Sequence, residues 1–356
     1  MRLLSVVGAR PQFVKLAPIA AAAELAGVEH ITVHTGQHYD FNMSQNFFED
    51  LRIPTAAINL DVGSGTHGVQ TGAMMAALDP VLEEYRPDWV LVYGDTNSTL
   101  AAAVCAKKLH LNLAHLEAGL RSYNRRMPEE HNRVVADHCS DVCLAPTELA
   151  MKNLAREGLA GRSQLVGDVM IDVLLNVAES VRRRPVDSPI PLDDHRAVLA
   201  TIHRPDNSDD KDRLVAILDA LSGVAGGTVY FLVHPRVRAR CQGWGLDLNQ
   251  TGVRAIDPLS YPQITQALLR AKAVVTDSGG LQKEAYTLGV PVTTIRAETE
   301  WPETLADGWN ELVPDVKRIA ESVSRPRPTT SRSADFGDGA TAPRVINVLS
   351  ELRHGV

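Results

Sequence analysis

Short apolar runs alternate with longer segments of helical length through the first half of the chain. Residues 3–7, 89–93 and 112–116 are mostly apolar runs of strand length. Runs of this kind are typical of parallel strands that are buried on both faces. Alanine-rich residues 100–109 lie between two of them and are predicted to be helical. The alternation predicts further strands at 30–35, 142–144 and 164–166, and helices at 12–26, 69–85 and 148–157.

The same alternation restarts after a proline-rich seam. A helix is predicted at 168–183, and residues 184–194 carry Pro185, Pro189 and Pro191, which is typical of a linker. Beyond the linker, strands are predicted at 197–202, 228–233, 253–256, 273–276 and 290–295, and helices at 212–221, 261–271 and 343–353. Residues 43–51 form an amphipathic segment, and residues 325–340, rich in Ser, Thr, Pro and Arg, are expected to be mobile or to lie on the surface.

This order of elements predicts an α/β protein with two Rossmann-like, doubly wound parallel-sheet domains that face each other across a cleft. We expect the first domain to span residues 1–167 and the second to span residues 168–342. The last helix, 343–353, is then free to pack back on the first domain.

Composition narrows the classes of function. The chain has 356 residues, 44% hydrophobic residues and a net charge of −7, so it has no overall positive field for nucleic acid. Its first apolar run is too short for a signal peptide, and no run approaches membrane-spanning length. Its four cysteines lack metal-type spacing. We therefore expect a cytoplasmic protein with reduced thiols that binds neither nucleic acid nor a membrane. These cysteines are Cys105, Cys139, Cys143 and Cys241.

Three carboxylates follow structural boundaries in the middle of the first half. Asp95 comes directly after one predicted strand, Glu117 after the next, and Glu129 follows Pro128 at a predicted helix start. Each residue alone is explained as a turn former, a strand end or a helix-dipole partner. Together, and with Arg133 close by, they predict a functional cluster at the carboxyl edge of a parallel sheet, where such folds bind ligands.

The turn after the first strand carries cationic side chains. Gly8 leads into Arg10, and Lys15 lies about one helical turn further on. Backbone amides at a helix start, a guanidinium and an ammonium group together suit a diphosphate. The turn lacks the Gly-x-Gly-x-x-Gly pattern, which argues against a nicotinamide cofactor. His38 and His67, in nearby loops, are interpreted as hydrogen-bonding residues rather than catalysts.

The second half presents a different set of groups at its strand ends. His203 and Arg204 follow one strand and precede Pro205, which we expect to prevent immediate continuation as strand or helix. Ser278, Gly279 and Gly280 follow another strand and open a helix, an arrangement that suits a phosphate but also a simply capped helix. Further candidate ligand-binding residues are Glu284 on that helix, His234 after a third strand and Arg296 after the last one.

A nucleotide diphosphate bound by the second half would present its sugar to the carboxylates of the first. The sequence Asp210-Lys211-Asp212 has no strand leading into it, so no metal site is expected there.

The sequence resembles the non-hydrolysing UDP-N-acetylglucosamine 2-epimerases from Gly8 to about Val313. The resemblance implies a GT-B fold, cofactor-free interconversion of UDP-GlcNAc and UDP-ManNAc, and a homodimer. Carbon 2 of the sugar is not next to a carbonyl group, and no dinucleotide fingerprint supports transient oxidation. The implied reaction is therefore elimination of UDP, in which a carboxylate removes the C2 proton, followed by re-addition that inverts the centre. The resemblance also assigns Asp95, Glu117, Glu129 and His203 to catalytic positions. The segments that carry it are Gly-Ala-Arg-Pro-Gln-Phe-Val-Lys from Gly8, Thr-Gly-Gln-His from Thr35, Gly-Asp-Thr from Gly94, Glu-Ala-Gly-Leu-Arg from Glu117, Pro-Glu-Glu-His-Asn-Arg from Pro128, His203-Arg204, and Thr-Asp-Ser-Gly-Gly-Leu-Gln-Lys-Glu from Thr276.

The resemblance also implies UDP contacts at Arg10, Ser278, Gly279, Gly280 and Glu284, with Glu284 on the ribose. The best-known bacterial members carry Glu where this chain has Gln12, Arg-Glu where it has Tyr39-Asp40, and Glu where it has Asp206. These differences put allosteric activation by a second UDP-GlcNAc in doubt.

Four other functions stay open at this point. The Gly-Ala-Arg-Pro-Gln-Phe segment also resembles the subgroup that includes epimerases of UDP-2,3-diacetamido-2,3-dideoxy-glucuronate. A hydrolysing 2-epimerase would release free UDP, whereas a GT-B glycosyltransferase would leave C2 untouched. A non-enzymatic UDP-sugar sensor would bind the ligand but would not need three carboxylates at the sugar.

Overall fold

The computed structural model describes residues 1–37, 56–191, 193–332 and 334–353. The predicted amphipathic segment 43–51, His38 and Tyr39-Asp40 lie outside the described residues. The chain divides into two compact units, Met1–Val173 with Asp335–Val356, and Leu174–Ala334. The division falls inside a helix, later than the expected boundary after residue 167.

The strands are nearly all short. They are β1 (Arg2–Val7), β2 (Glu29–His34), β3 (Ile58–Asn59), β4 (Trp89–Tyr93), β5 (Leu113–Leu116), β6 (Val142–Ala145), β7 (Ser163–Leu165), β8 (Val198–Thr201), β9 (Val229–Leu232), β10 (Arg254–Ile256), β11 (Ala273–Thr276), β12 (Val292–Thr294) and β13 (Asn310–Leu312).

Helices follow most of the strands. They are α1 (Arg10–Leu25), α2 (His67–Tyr85), α3 (Asn97–Lys108), α4 (Pro128–Cys139), α5 (Glu148–Arg156), α6 (Val169–Arg183), α7 (Pro205–Ser208), α8 (Lys211–Ser222), α9 (Pro235–Gly243), α10 (Tyr261–Leu268), α11 (Gly279–Leu288), α12 (Ile319–Ser324) and α13 (Thr341–Arg353). None of the helices in the described ranges combines the length and the apolar character that crossing a membrane requires.

The first unit is built on a parallel sheet with the strand order β3-β2-β1-β4-β5-β6-β7. Alternate side chains of each strand point to opposite faces, so Trp89, Leu91 and Tyr93 of β4 enter one core while Val90 and Val92 enter the other. Helices α1 and α13 cover the first face, and α2 and α3 cover the second. The last helix is tied to β4 by a hydrogen bond of 3.0 Å from the Trp89 indole to the Leu349 carbonyl.

The second unit repeats this plan with the order β10-β9-β8-β11-β12-β13, again in parallel. Both units therefore have the strand order of a Rossmann fold, and the predicted pair of doubly wound sheets is confirmed. The order reverses between β1 and β4 in the first unit and between β8 and β11 in the second. Arg10, Asp95, His203 and Ser278 follow these four strands, so four of the predicted site residues lie at the switch points, where ligands bind in such sheets.

One expectation for the second unit is wrong. Pro205 does not prevent a helix from following, because it occupies the first position of the short helix α7, where its missing N–H costs nothing. The described residues of 325–340 lie mostly on the surface, as expected, although Phe336 is 2% exposed and Arg325 donates a 2.7 Å hydrogen bond to the Val292 carbonyl. Arg332 also binds the carbonyl of Tyr286 at 2.9 Å.

Candidate active site

Asp95 lies at the carboxyl end of β4 and is held from both its side chain and its backbone. Arg133 of α4 donates to the Asp95 carboxylate at 2.5 Å, and Asn132 donates to the Asp95 carbonyl at 2.9 Å. Thr96 then caps α3 by accepting from the Thr99 amide at 3.3 Å. The side-chain and backbone contacts fix the direction of the carboxylate.

Glu117 adopts a backbone conformation that L-residues rarely use. Its φ of 73° lies in the left-handed region, where a non-glycine residue stores strain, and such strain concentrates at functional sites. Its carboxylate forms an ion pair with Lys15 of α1. A Cβ on Gly94, whose φ is 58°, would lie 3.1 Å from the Glu117 carboxylate. The ends of β4 and β5 and the start of α1 therefore meet at this ion pair.

Lys15 stays cationic at this position. Its side chain is 11% exposed, and burial alone would lower the pKa of the ammonium group. The facing carboxylate of Glu117, with Asp168 and Asp95 further away, outweighs that effect and raises the pKa above its ordinary value. A permanent cation here favours the ionised form of its partner, as a proton-abstracting carboxylate requires.

The two adjacent glutamates at the start of α4 have different surroundings. Glu130 is buried and accepts hydrogen bonds from the Ser122 amide at 2.9 Å and the Tyr123 amide at 2.8 Å, so it holds the loop before the helix. It also pairs with Arg133 at 3.0 Å. Glu129 is exposed, and its carboxylate makes no hydrogen bond or ion pair with another described residue. Of the two, Glu129 is the one open to a ligand.

The turn after β1 does not offer the expected amide donors. The side-chain oxygen of Gln12 accepts from the amides of Gly8 at 2.8 Å and Ala9 at 3.0 Å, so neither amide is free for a diphosphate. Gly8 is required by packing, because a Cβ there would lie 2.1 Å from the hydroxyl oxygens of Ser98 and Thr35. Arg10 begins α1 at the end of β1, and its side chain lies outside the described part of the structure.

A cavity of about 590 Å³ opens in the first unit beside the backbone of Asp95. Asn132 lines it and also donates to the Asp95 carbonyl. His67 lines it as well and is hydrogen bonded to Asn97 at 3.1 Å, as expected of a loop residue. Arg125 and Arg126 contribute positive charge, and none of the described residues that line the cavity is acidic. The two guanidinium groups suit an anionic group, although most of the lining surface is apolar.

Asp277 organises the switch point of the second unit, although it was not among the predicted site residues. Its carboxylate is fully buried and accepts from the amides of His203 at 3.1 Å and Arg204 at 3.0 Å, from Asn207 at 3.1 Å, and from the His203 ring at 3.2 Å. Burial raises the pKa of Asp277, but these donors, His203 first, lower it below the usual range. The ionised Asp277 carboxylate therefore orients the His203 ring.

His234 lies next to His203, with ring centroids 5.8 Å apart. Its Nδ1 accepts from the Arg236 amide at 3.2 Å and so caps α9. Partial burial, followed by the charges of His203 and Arg236, lowers the pKa of His234. His234 therefore carries a neutral ring whose Nδ1 is already used.

The start of α11 leaves its first amides accessible. Ser278 is the N-cap residue, but its hydroxyl makes no capping hydrogen bond. Gly280 has ordinary backbone angles, and a Cβ there would lie 4.0 Å from its nearest contact, the Ser278 hydroxyl. Because the fold does not require glycine at this position, the missing side chain keeps the helix N-terminus open to an anion. This observation fits the predicted phosphate turn.

The remaining predicted residues of the second unit are already engaged with carboxylates or hydroxyls. Arg296 forms a buried two-point ion pair with Glu300 at 2.8 Å for each bond, and Arg204 reaches the same carboxylate at 3.3 Å. Burial raises the pKa of Glu300, but Arg296 and then Arg204 lower it to about 2. Glu284 accepts from the Tyr261 hydroxyl at 3.1 Å. Arg204 and Arg296 are thereby brought together through Glu300.

Comparison with known proteins agrees with this fold. The family described as UDP-N-acetylglucosamine 2-epimerase matches residues 20–350. The chain is 43% identical to a UDP-N-acetylglucosamine 2-epimerase homolog of Methanococcus maripaludis, over 99% of this chain and 100% of the relative. It is 42% identical, with the same coverage, to the UDP-2,3-diacetamido-2,3-dideoxy-D-glucuronate 2-epimerase of Pseudomonas aeruginosa.

A solved structure supports the same assignment. Methanocaldococcus jannaschii UDP-GlcNAc 2-epimerase in complex with UDP-GlcNAc and UDP matches with a TM-score of 0.86 at 36% identity, over 99% of this chain and 100% of that one. The expected GT-B fold, made of two Rossmann-like domains, is thereby confirmed, as is the expectation of an isomerase. The chain belongs to the UDP-N-acetylglucosamine 2-epimerase family.

Proposed function

We propose that the chain epimerises C2 of a UDP-N-acetylhexosamine, UDP-GlcNAc to UDP-ManNAc, without a cofactor. One observation carries the proposal. Two carboxylates at adjacent strand ends, Asp95 and Glu117, are each paired with a separate cation, Arg133 and Lys15. Such pairing orients both carboxylates at the edge of the sheet where ligands bind.

The reaction proceeds by anti elimination. A carboxylate of the Asp95, Glu117 and Glu129 group takes the proton from C2, the C2–H electrons form the C1–C2 double bond, and the C1–O bond breaks to release UDP. The intermediate is a 2-acetamidoglucal. UDP then adds back to C1 while a proton is delivered to the opposite face of C2, which inverts that centre. General acid–base catalysis of this kind contributes roughly 100- to 10,000-fold.

The second unit is proposed to bind UDP and to stabilise it as a leaving group. The open N-terminus of α11 suits the diphosphate, and Glu284 suits the ribose hydroxyls. His203, oriented by Asp277, and the adjacent Arg204 add polar and cationic groups at the same switch point.

Two observations favour a second substrate class, the UDP-2,3-diacetamido-2,3-dideoxy-glucuronates. The relative from Pseudomonas aeruginosa that carries this name is 42% identical to the chain. The cavity beside Asp95 is lined by Arg125 and Arg126, which suit the C6 carboxylate of a uronate.

The experiment that tests the proposed function is turnover in deuterated water, followed by NMR. Deuterium is expected at C2 of the UDP-sugar, because the proton that is returned comes from a group in exchange with solvent. UDP-GlcNAc and the diacetamido uronate are compared in parallel, and the substrate with the larger kcat/KM is the natural class. Full epimerisation with protium retained at C2 would exclude the mechanism, and release of free UDP in proportion to turnover would indicate a hydrolase.

Gly280→Ala tests the UDP site separately from catalysis. The substitution is expected to leave the fold intact, because the added methyl group meets only open space, and to weaken UDP binding by roughly 10- to 100-fold by covering a helix-terminal amide. Isothermal titration calorimetry with UDP measures the effect. Gly243→Ala, at another open position of the same unit, is the matched control. Equal UDP affinity in both variants would show that the N-terminus of α11 does not bind UDP.

A further inference from the structure

A fully buried histidine lies directly behind the candidate carboxylates, and the proposed chemistry does not use it. His115 of β5 is 0% exposed. Its Nε2 lies 2.7 Å from the carbonyl oxygen of Gly94, and its Nδ1 lies 2.7 Å from a carboxylate oxygen of Asp137 on α4. Both ring nitrogens therefore face hydrogen-bond acceptors.

The partners fix the protonation of the ring. A backbone carbonyl can only accept, so Nε2 must carry a hydrogen. Asp137 also accepts from the Gly119 amide at 3.1 Å and from Arg121 at 2.7 Å, as expected of an ionised carboxylate. Burial raises the pKa of Asp137, but His115 and Arg121 together lower it. The Nδ1 position therefore carries a hydrogen as well, and the ring is an imidazolium.

The charges around the ring balance. Arg121 pairs with both Asp137 and Glu157, which directly follows α5. Two cations, His115 and Arg121, therefore alternate with the two carboxylates. Cys143 of β6 also lies against Asp137, and burial followed by that carboxylate raises the pKa of its thiol to about 12, which keeps it neutral. A buried network that is fully paired in this way is rigid, whereas removal of one member leaves an uncompensated charge.

The hydrogen bonds of this network reach the backbone of both loops that carry the candidate carboxylates Asp95 and Glu117. Gly94 immediately precedes Asp95, and Gly119 follows Glu117 by two residues. Asp137 lies on α4, one turn after Arg133, which binds the Asp95 carboxylate. The pair formed by His115 and Asp137 thus connects the three backbone segments that carry Asp95, Glu117 and Arg133.

We propose that His115 is a protonated positioning residue that, through Asp137, fixes the Asp95 loop relative to the Glu117 loop for the reaction. The role in the reaction rests on the proposed function, whereas the charge state of the ring does not. Displacement of a reacting group by about 1 Å can lower a rate about 100-fold. Asp137→Asn, which removes the counter-charge, is therefore expected to lower kcat by about that factor while UDP affinity in the second unit stays unchanged.

Two measurements test the proposal. The first is NMR of the wild-type protein labelled with ¹⁵N-histidine, with the His115 ring assigned by comparison with His115→Gln and Asp137→Asn. Two protonated ring nitrogens are expected in the folded protein, and one unprotonated nitrogen would overturn the assigned charge. This readout requires no substrate, so it stands or falls independently of the proposed epimerase activity.

The second measurement separates positioning from stability. Asp172 is also a buried carboxylate of the first unit, where it accepts from the amides of Thr341 and Ala342 at 3.0 and 2.8 Å. Asp172→Asn is therefore the control, and we expect it to lose stability but to keep kcat. Asp137→Asn should lose kcat with unchanged UDP affinity when both variants are assayed below their unfolding temperatures. Equal kcat values in the two folded variants would overturn the positioning role.

Discussion

Glu117→Gln is expected to lower kcat roughly 100- to 10,000-fold, the contribution of general acid–base catalysis. Glutamine keeps the shape of the side chain and can occupy the same left-handed backbone position. It cannot accept a proton from C2, and it leaves the Lys15 ammonium without its counter-charge. UDP affinity should be unchanged because the proposed UDP contacts lie on the second unit. Steady-state kinetics and UDP titration measure the two quantities.

Glu148→Gln provides the matched control. Glu148 is an exposed carboxylate in the first turn of α5, on the same unit but without a place in the site. We expect its kcat to stay within a factor of about two, since surface substitutions away from special features usually have small effects. A Glu117→Gln variant that turns over as fast as this control would remove Glu117 from the acid–base role.

Glu300→Gln is expected to lower the free energy of unfolding by about 3 kcal/mol at pH 7. The Glu300 carboxylate is 11% exposed and binds Arg296 at two points, and the pKa is lowered from 4.5 to about 2. An acid with a lowered pKa in the folded state contributes stability that is complete above about pH 4.5. That contribution is lost as the pH falls toward 2, because the unfolded chain then takes up protons first.

Urea denaturation of the wild type and of Glu300→Gln from pH 7 to pH 2.5 measures the change in the free energy of unfolding. The difference between them should be largest at neutral pH and should shrink as the pH falls below 4.5. Glu298→Gln, a nearby exposed position, is the control and should follow the wild type at every pH. A difference between Glu300→Gln and the wild type that stays constant from pH 7 to pH 2.5 would contradict the electrostatic origin of the stability.

Much of the fold follows from local pattern. The strands β4 and β11 begin and end where the sequence predicts, because each is a continuous apolar run bounded by charged or turn-forming residues. Strands β3 and β13 were missed because they contain two and three residues and exist only through pairing. Ile58 pairs with Val33, and Asn310 pairs with Val292. Such contacts over long sequence distances leave no periodic signal in the chain.

The site was predictable only where a residue's position along a strand determines where its side chain lies. Asp95 and Glu117 follow buried strands, so the topology of a parallel sheet brings them to one edge. His115 and Asp137 gave no such signal, because a single histidine in an apolar strand is usually a core residue. Asp137 is recognisable as a partner only once α4 is packed behind β5. The hydrogen bonds of Gln12 were missed for a similar reason, since its side chain folds back onto the amides of the turn.

The most direct test of the proposed chemistry is positional isotope exchange. The substrate is UDP-GlcNAc with ¹⁸O in the bridge between C1 and the β-phosphorus, and the label is followed by ³¹P NMR during epimerisation. If the C1–O bond breaks and re-forms with UDP as leaving group, the label moves from the bridge to the non-bridging β-phosphate oxygens. Complete epimerisation with all of the label still in the bridge would contradict elimination and re-addition.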